Sequence, residues 1–138
     1  SGTRWMVAPK ADVGEVIQPP RLTRVPHGRP WLSGVANVRG NLLTLIDLGR
    51  LFGAQSSEGG RTTRVLVLKS DQVSAGFLVD EVAGYRQFSA REQTAPQLAS
   101  DDPIAPYLLG GFLREGRTWQ VLSLHKLVAS EILRRAGW

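Results

Sequence analysis

The sequence predicts a mainly β protein of the barrel or sandwich type. Short β-branched and apolar runs recur along the chain, 15 Gly and 8 Pro punctuate them, and one stretch alone, at the C-terminal end, has the spacing of a longer helix. Many short strands with turn residues between them describe an all-β architecture rather than an α/β enzyme.

Arg4 to Ala8 and Asp12 to Ile17 read as a pair of short strands joined through Pro9-Lys10. Within the second, Val13, Glu15 and Ile17 are two apart and are expected on one face, an apolar strip with one charge. Val35 to Val38 is a β-branched strand. Arg39-Gly40-Asn41 is a tight turn, because Gly and Asn tolerate the positive φ such turns demand. Leu42 to Ile46 returns as an apolar strand with one or both faces buried. Asp47 then caps a short helix carrying Leu48, Leu51 and Phe52, which Gly53 stops.

Gly53 to Thr62 is polar and Gly-rich and reads as a mobile loop between barrels. Arg64 to Leu68 and Val73 to Val79 flank Ser70-Asp71-Gln72 as a hairpin. Ala90 to Pro106, with three prolines and Asp101-Asp102, reads as an extended connection with at most a helical turn. Gly111 to Leu113 and Thr118 to Leu122 flank Glu115-Gly116 as another hairpin. Ser123 caps a long closing helix with Leu124, Leu127, Val128 and Ile132 on one face.

Two echoes run through this pattern. The segment from Asn41 to Leu51 has the shape of Arg117 to Leu127: an apolar strand, a capping Asp or Ser, then Leu-x-x-Leu. Gly14-Glu15-Val16 and Asp80-Glu81-Val82 each close a strand. Both point to two similar barrels.

The 138 residues make one domain the expectation, large enough to bury roughly two-thirds of the unfolded surface. Without Cys there is no disulfide, thiolate metal site or cysteine nucleophile. No apolar run approaches a membrane span of roughly 18 residues and no signal peptide opens the chain, so a soluble cytoplasmic protein is expected, without membrane insertion.

The net charge of +5 comes from 14 Arg and 3 Lys, which invites a nucleic-acid reading. Arg4, Arg21, Arg39, Arg64, Arg91 and Arg117 are scattered rather than striped, and Arg134-Arg135 suit the end of a helix. Stacking aromatics are not interleaved with them along the chain. Acidic protein partners are the better expectation, with no nucleic acid.

Catalytic chemistry is not signalled. His27 lies in a Pro/Gly turn and His125 near a helix start, with no metal-ligand spacing, so neither a metal nor another cofactor is expected. Ser33-Gly34 lacks the first Gly of a nucleophile elbow, and Gly59-Gly60 is followed by no Lys-Ser. The doublets Asp80-Glu81 and Asp101-Asp102 point to opposite faces when extended. Asp80 is expected to end its strand with an Asx-type bond, and Asp47 to cap its helix for about 1 kcal/mol. Arg39, at a hairpin tip, is a presented group. Its plainest role is an exposed ion pair worth below about 1 kcal/mol.

The stretch Gly34-Val-Ala-Asn37-Val-Arg39-Gly40-Asn-Leu-Leu-Thr-Leu-Ile-Asp47-Leu resembles the signature of the CheW-like domain family, roughly G-x-x-N-L-R-G, an apolar strand and D-L. Val13-Gly14-Glu15-Val16-Ile17, Gly76-Phe77-Leu78-Val79-Asp80-Glu81-Val82 and Tyr107-Leu108-Leu109-Gly110-Gly111 fit the family in the same order. The match covers nearly the whole chain, and the wording around Pro26 to Leu32 is most similar to the PilI-type branch, which serves type IV pilus systems.

The resemblance implies one domain over 1–138, made of two interleaved, five-stranded SH3-like barrels side by side with a C-terminal helix and a groove between the barrels. It implies a non-enzymatic adaptor that couples the signalling tip of methyl-accepting chemoreceptors to the regulatory domain of a CheA-type histidine kinase, at membrane-associated arrays, in control of twitching motility. Val13, Glu15, Ile17, Arg39, Gly40 and Tyr85 are the implied receptor-binding residues. Gly34, Asn37, Asp47, Gly76, Asp80 and Gly110 are the implied structural motif.

The family usually begins with one more strand than the residues Ser1 to Arg4 supply here. An open barrel edge would favour self-association by strand pairing. The residues by themselves leave two other classes open, a basic nucleic-acid-binding β-barrel and a small ligand-binding barrel.

Overall fold

The computed structural model describes residues 5–26, 28–53, 55–96 and 101–130. Expectations placed on Arg4, His27, Ile132 and Arg134-Arg135 lie outside them. In chain order the strands are β1 (Met6–Val7), β2 (Val13–Ile17), β3 (Leu32–Val38), β4 (Asn41–Asp47), β5 (Arg64–Leu68), β6 (Ala75–Val79), β7 (Gln93–Thr94), β8 (Leu108–Arg114) and β9 (Arg117–Leu122). The helices are α1 (Leu48–Leu51) and α2 (Leu124–Val128), with single 3₁₀ turns at Lys10–Asp12, Ala90–Glu92 and Ala105–Tyr107. The chain is mainly β, as expected, in two sheets.

The strands divide between two units at Asp12/Val13 and at Ala83/Gly84. One unit is continuous, Val13–Ala83, and holds a five-stranded sheet in the order β2-β5-β6-β4-β3. The other takes both ends of the chain and holds a four-stranded sheet, β1-β9-β8-β7. The expected pairing of the first two strands is therefore wrong. β1 runs parallel to β9, whereas β2 pairs antiparallel with β5, because Pro9 and the 3₁₀ turn part them into different units.

In the five-stranded unit, alternation selects the inner face. Ala36, Leu43, Leu45, Val65 and Leu78 form the buried cluster, with Ile17, Leu22, Val38 and Val67 packed against it. Each fully buried aliphatic side chain contributes about 1.5–3 kcal/mol. Gly76 belongs to this wall because a Cβ there would stand 2.7 Å from Leu45 Cδ2 and Val65 Cγ1.

A backbone bridge joins the chain after β2 to the outer edge of β3. Thr23 N donates to Val35 O (2.8 Å) and Val35 N to Thr23 O (2.9 Å). Gly34 makes this approach possible: its φ is +144°, at a bulge in β3, and a Cβ would collide with the Thr23 carbonyl oxygen.

The polar segment after α1 is not a mobile loop between barrels. It lies within the five-stranded unit and is tied down by its own side chains. Asp47, fully buried, accepts from Ser56 Oγ (2.6 Å), Ser57 N (3.0 Å) and Arg50 N (3.2 Å). Glu58 takes both terminal nitrogens of Arg24 (3.0 and 2.6 Å) and the Ser33 hydroxyl (3.1 Å). The hydrogen bond from Arg24 leads the causes that hold the Glu58 carboxyl below its ordinary range. Composition marked these residues as solvated; their pairing distances reverse that.

In the four-stranded unit the buried hydrophobic residues among those described are Ile104, Trp119, Leu122, Leu124 and Leu127. Trp119 is flanked by Trp5 (5.4 Å between centroids, edge-on) and Phe88 (6.0 Å), and Phe88 stacks on Phe112 (4.7 Å). Among the described residues this sheet has four strands rather than five, and β1 is paired on one side only. The short β7 went unread in the sequence because two residues between loops carry no alternation. Helix α2 is capped by Ser123 Oγ on Lys126 N (3.1 Å), as expected, but is closed at Ala129. Asp12 reaches its first turn, accepting from Leu124 N at 3.1 Å with His125 Nε2 3.7 Å away.

Candidate functional site: a hairpin tip and a ring-lined sheet

The β3–β4 hairpin turns in two residues. Arg39 (φ 51°) and Gly40 (φ 84°) both lie in the left-handed region, the pattern of a type I′ turn. Asn37 Oδ1 accepts from Gly40 N at 2.9 Å and fixes the turn from the strand side. The first position of such a turn favours Asn or Gly, and a long side chain there costs roughly 1 kcal/mol. Arg39 occupies it nonetheless, and one terminal nitrogen of its guanidinium pairs with Glu15 Oε1 on β2. The pair links two strands at opposite ends of the sheet order.

The strip expected on β2 is rearranged by a bulge. Glu15 pairs with Val67 and Ile17 with Val65, whereas Val13 pairs with Leu68, so Val13 lies on the opposite face from the other two. Ile17 packs against the core cluster rather than standing free. Exposed apolar groups of this unit include two outside the expected set: Val16, 46% exposed, and Leu42, 64% exposed and two residues past the tip. Alternation with Glu15 and Ile17 places Val16 on the other face of β2, and the bulge between Val13 and Glu15 moves only Val13.

Tyr85 belongs to the other unit, where Lys10 Nζ lies 5.2 Å from its ring centroid. Asp80 ends β6, and its carbonyl accepts from Thr62 Oγ1 at 2.7 Å. The Asx-type bond expected of its carboxylate does not form among the described residues; Asp80 and the chain just beyond it are exposed. Gly110, at a bulge in β8, matches Gly34 in β3. Glu115-Gly116 (φ 52° and 75°) match Arg39-Gly40, and Ser123 matches Asp47, all at one constant spacing along the chain. The echo read in the sequence is a repeated hairpin and helix cap.

Arginines and aromatic rings, apart along the chain, interleave in space. Arg117 lies 3.7 Å over the Trp5 ring and 5.8 Å from that of Trp119; Arg86 is 5.8 Å from Trp119, and Arg114 4.4 Å from Phe88. This corrects the expectation that they stay separate, since β1, β8, β9 and the segment before Ala90 converge on one sheet. Arg114 also binds Glu92 through two nitrogens (2.7 and 2.9 Å) and the Gln87 carbonyl (2.6 Å). Those bonds from Arg114, with the Ser89 N–H, lower the Glu92 carboxyl to about 2.

An open hollow of about 530 Å³ in the same unit is lined by Gln93, Thr94, Leu109, Gly110, Gly111, Phe112 and Val121. None of these side chains titrates, so the hollow offers no acid or base. No group of potential metal ligands occurs among the described residues, and none of their helices is long and apolar enough to cross a membrane.

Comparison with known proteins agrees with this geometry. The CheW-like domain pattern matches residues 1–131. The chain is 42% identical over 129 residues to Protein PilI of Pseudomonas aeruginosa, covering 91% of this chain and 70% of that one. It is 33% identical over 126 residues to the chemotaxis protein CheW of Thermotoga maritima, covering 91% and 81%. The scaffolding protein TtCheW of Thermoanaerobacter tengcongensis superimposes with a TM-score of 0.75 at 22% identity, over 90% of this chain and 80% of that one, and so shares the fold. The chain belongs to the CheW-like domain family.

Proposed function

We propose that this chain is a non-enzymatic scaffold of a chemosensory array, linking methyl-accepting receptors to a CheA-type histidine kinase. Similarity to PilI favours a pilus-type chemosensory system, and this reading takes twitching motility as its output. The reading places the chain in the cytoplasm at membrane-associated arrays, with its two units acting as one domain.

Arg39 is the observation that carries this reading. A strained turn position that would favour Asn or Gly holds a long, exposed cation instead, and strain of this kind is retained where a presented side chain is used. A carboxylate on a receptor helix would take the guanidinium fork in exchange with Glu15, which keeps Arg39 oriented beforehand. Leu42, exposed two residues past the tip, would supply apolar contact, with Gly40 shaping the turn; Val13, on the other face of β2 from Glu15, Ile17, packed on the core, and Tyr85, in the other unit, fall outside this surface. The kinase regulatory domain would use a separate apolar surface.

Calorimetric titration with a receptor signalling fragment tests the site. Saturable binding, lost in Arg39→Ala and partly kept in Arg39→Lys, supports it. Normal binding by Arg39→Ala removes Arg39 from the interface.

A further inference from the structure

Two cations of the four-stranded unit rest on aromatic rings and make no ion pair among the described residues. Arg117, the first residue of β9, lies 3.7 Å from the Trp5 centroid, and Lys10 Nζ lies 5.2 Å from that of Tyr85. Arg114 is the contrast: it too lies over a ring, but Glu92 neutralises it. Trp5 and Tyr85 are also exposed apolar groups, at 38% and 57%. Both belong to one unit, in which Arg86, the residue after Tyr85, approaches the Trp119 ring that packs edge-on against Trp5.

A guanidinium on a ring face is partly dehydrated on that side, yet its N–H donors remain directed around its edge. Such a group is held in place for an anion, with apolar ring surface next to it. We propose that Arg117 on Trp5, with Lys10 on Tyr85, forms a docking surface for an acidic protein segment in which carboxylates alternate with apolar side chains. The carboxylates take the two cations and the apolar side chains cover the exposed ring edges. Single-stranded nucleic acid fits less well. Bases need open ring faces to stack on, whereas Arg117 already occupies a face of Trp5, Lys10 Nζ stands over one face of Tyr85, and Trp119 is buried.

The surface shares no residue with the receptor site proposed above, and the test turns on Arg117 and Lys10. A fluorescent peptide of alternating Glu and Leu is titrated by anisotropy. A Gln-for-Glu peptide and a single-stranded thymidine oligonucleotide are run beside it, with thermal melts of every variant. The acidic peptide is expected to bind the native chain, and Arg117→Ala to weaken it about tenfold or more. Arg117→Lys and Lys10→Gln, which keep most of the packing, should each weaken it less. The Gln peptide should not bind, and Arg39→Ala should bind the acidic peptide normally even if it also binds receptor normally, so the two readings fail separately. Equal affinity of the native chain and all three variants of this surface overturns the proposal, as does absence of peptide binding or equal binding of the Gln peptide. Tighter binding of the oligonucleotide, lost in Arg117→Ala, overturns it in favour of nucleic acid.

Discussion

Replacing Arg39 by Asn separates the presented group from the turn that presents it. At φ 51° Asn is a favoured residue and Arg is not, so the substitution relieves roughly 1 kcal/mol of backbone strain. It also removes the ion pair with Glu15, whose side chains are 66% and 38% exposed. Solvent screening limits such a pair to about 0.2–1 kcal/mol. The two terms nearly cancel, so stability should change by less than about 0.5 kcal/mol, a few degrees in melting temperature at this size. In the complex the guanidinium would be desolvated against a carboxylate, where losing one partner costs about 2–5 kcal/mol, roughly thirtyfold or more in affinity. Calorimetric titration against a receptor signalling fragment, with melts in parallel, reads both quantities. Native affinity in Arg39→Asn, or a melting temperature lowered by ten degrees or so, would refute the reasoning.

Three other outcomes follow from the packing. Gly34→Ala should cost about 2–4 kcal/mol, because it combines a positive φ with a collision against the Thr23 carbonyl; the urea midpoint measures it. Asp47→Ala should cost more than the roughly 1 kcal/mol of a helix cap, about 2–4 kcal/mol, since the buried Ser57 N–H loses its acceptor, and Asp47→Asn should recover part. Glu92, lowered by Arg114 and the Ser89 N–H from an ordinary 4.5 to about 2, stabilises the fold fully above pH about 4.5 and progressively less as pH falls toward 2. The difference in melting temperature between native and Glu92→Gln chains should shrink over that window; a constant difference would contradict the assignment.

The repeated hairpins could be read from the sequence because everything that makes them is local. Asn37, Arg39-Gly40 and Asp47 lie within one turn of the residues they fix, and so do Glu115-Gly116 and Ser123. The signature around Arg39 therefore gave both the turn and its presented side chain. What escaped depends on pairs distant in sequence. The bulge that turns Val13 away from Glu15 appears only when β2 is laid on β5. Asp47 looked like a simple cap because Ser56 and Ser57 return to it from a loop. Arg117 and Trp5 come from opposite ends of the chain and meet only through the parallel pairing of β1 with β9. The candidate site is half visible for the same reason: Arg39 and Glu15 stand out one by one along the sequence, whereas their pairing and the exposure of Leu42 depend on the fold.

Co-sedimentation tests the scaffold reading most directly. Membranes carrying a chemoreceptor are mixed with a CheA-type kinase, with and without this chain, and the kinase in the pellet is measured. The kinase should pellet strongly only when the chain is present, and Arg39→Asn should fail to bring it down while remaining folded. Kinase recovery that is the same with and without the chain would contradict the account.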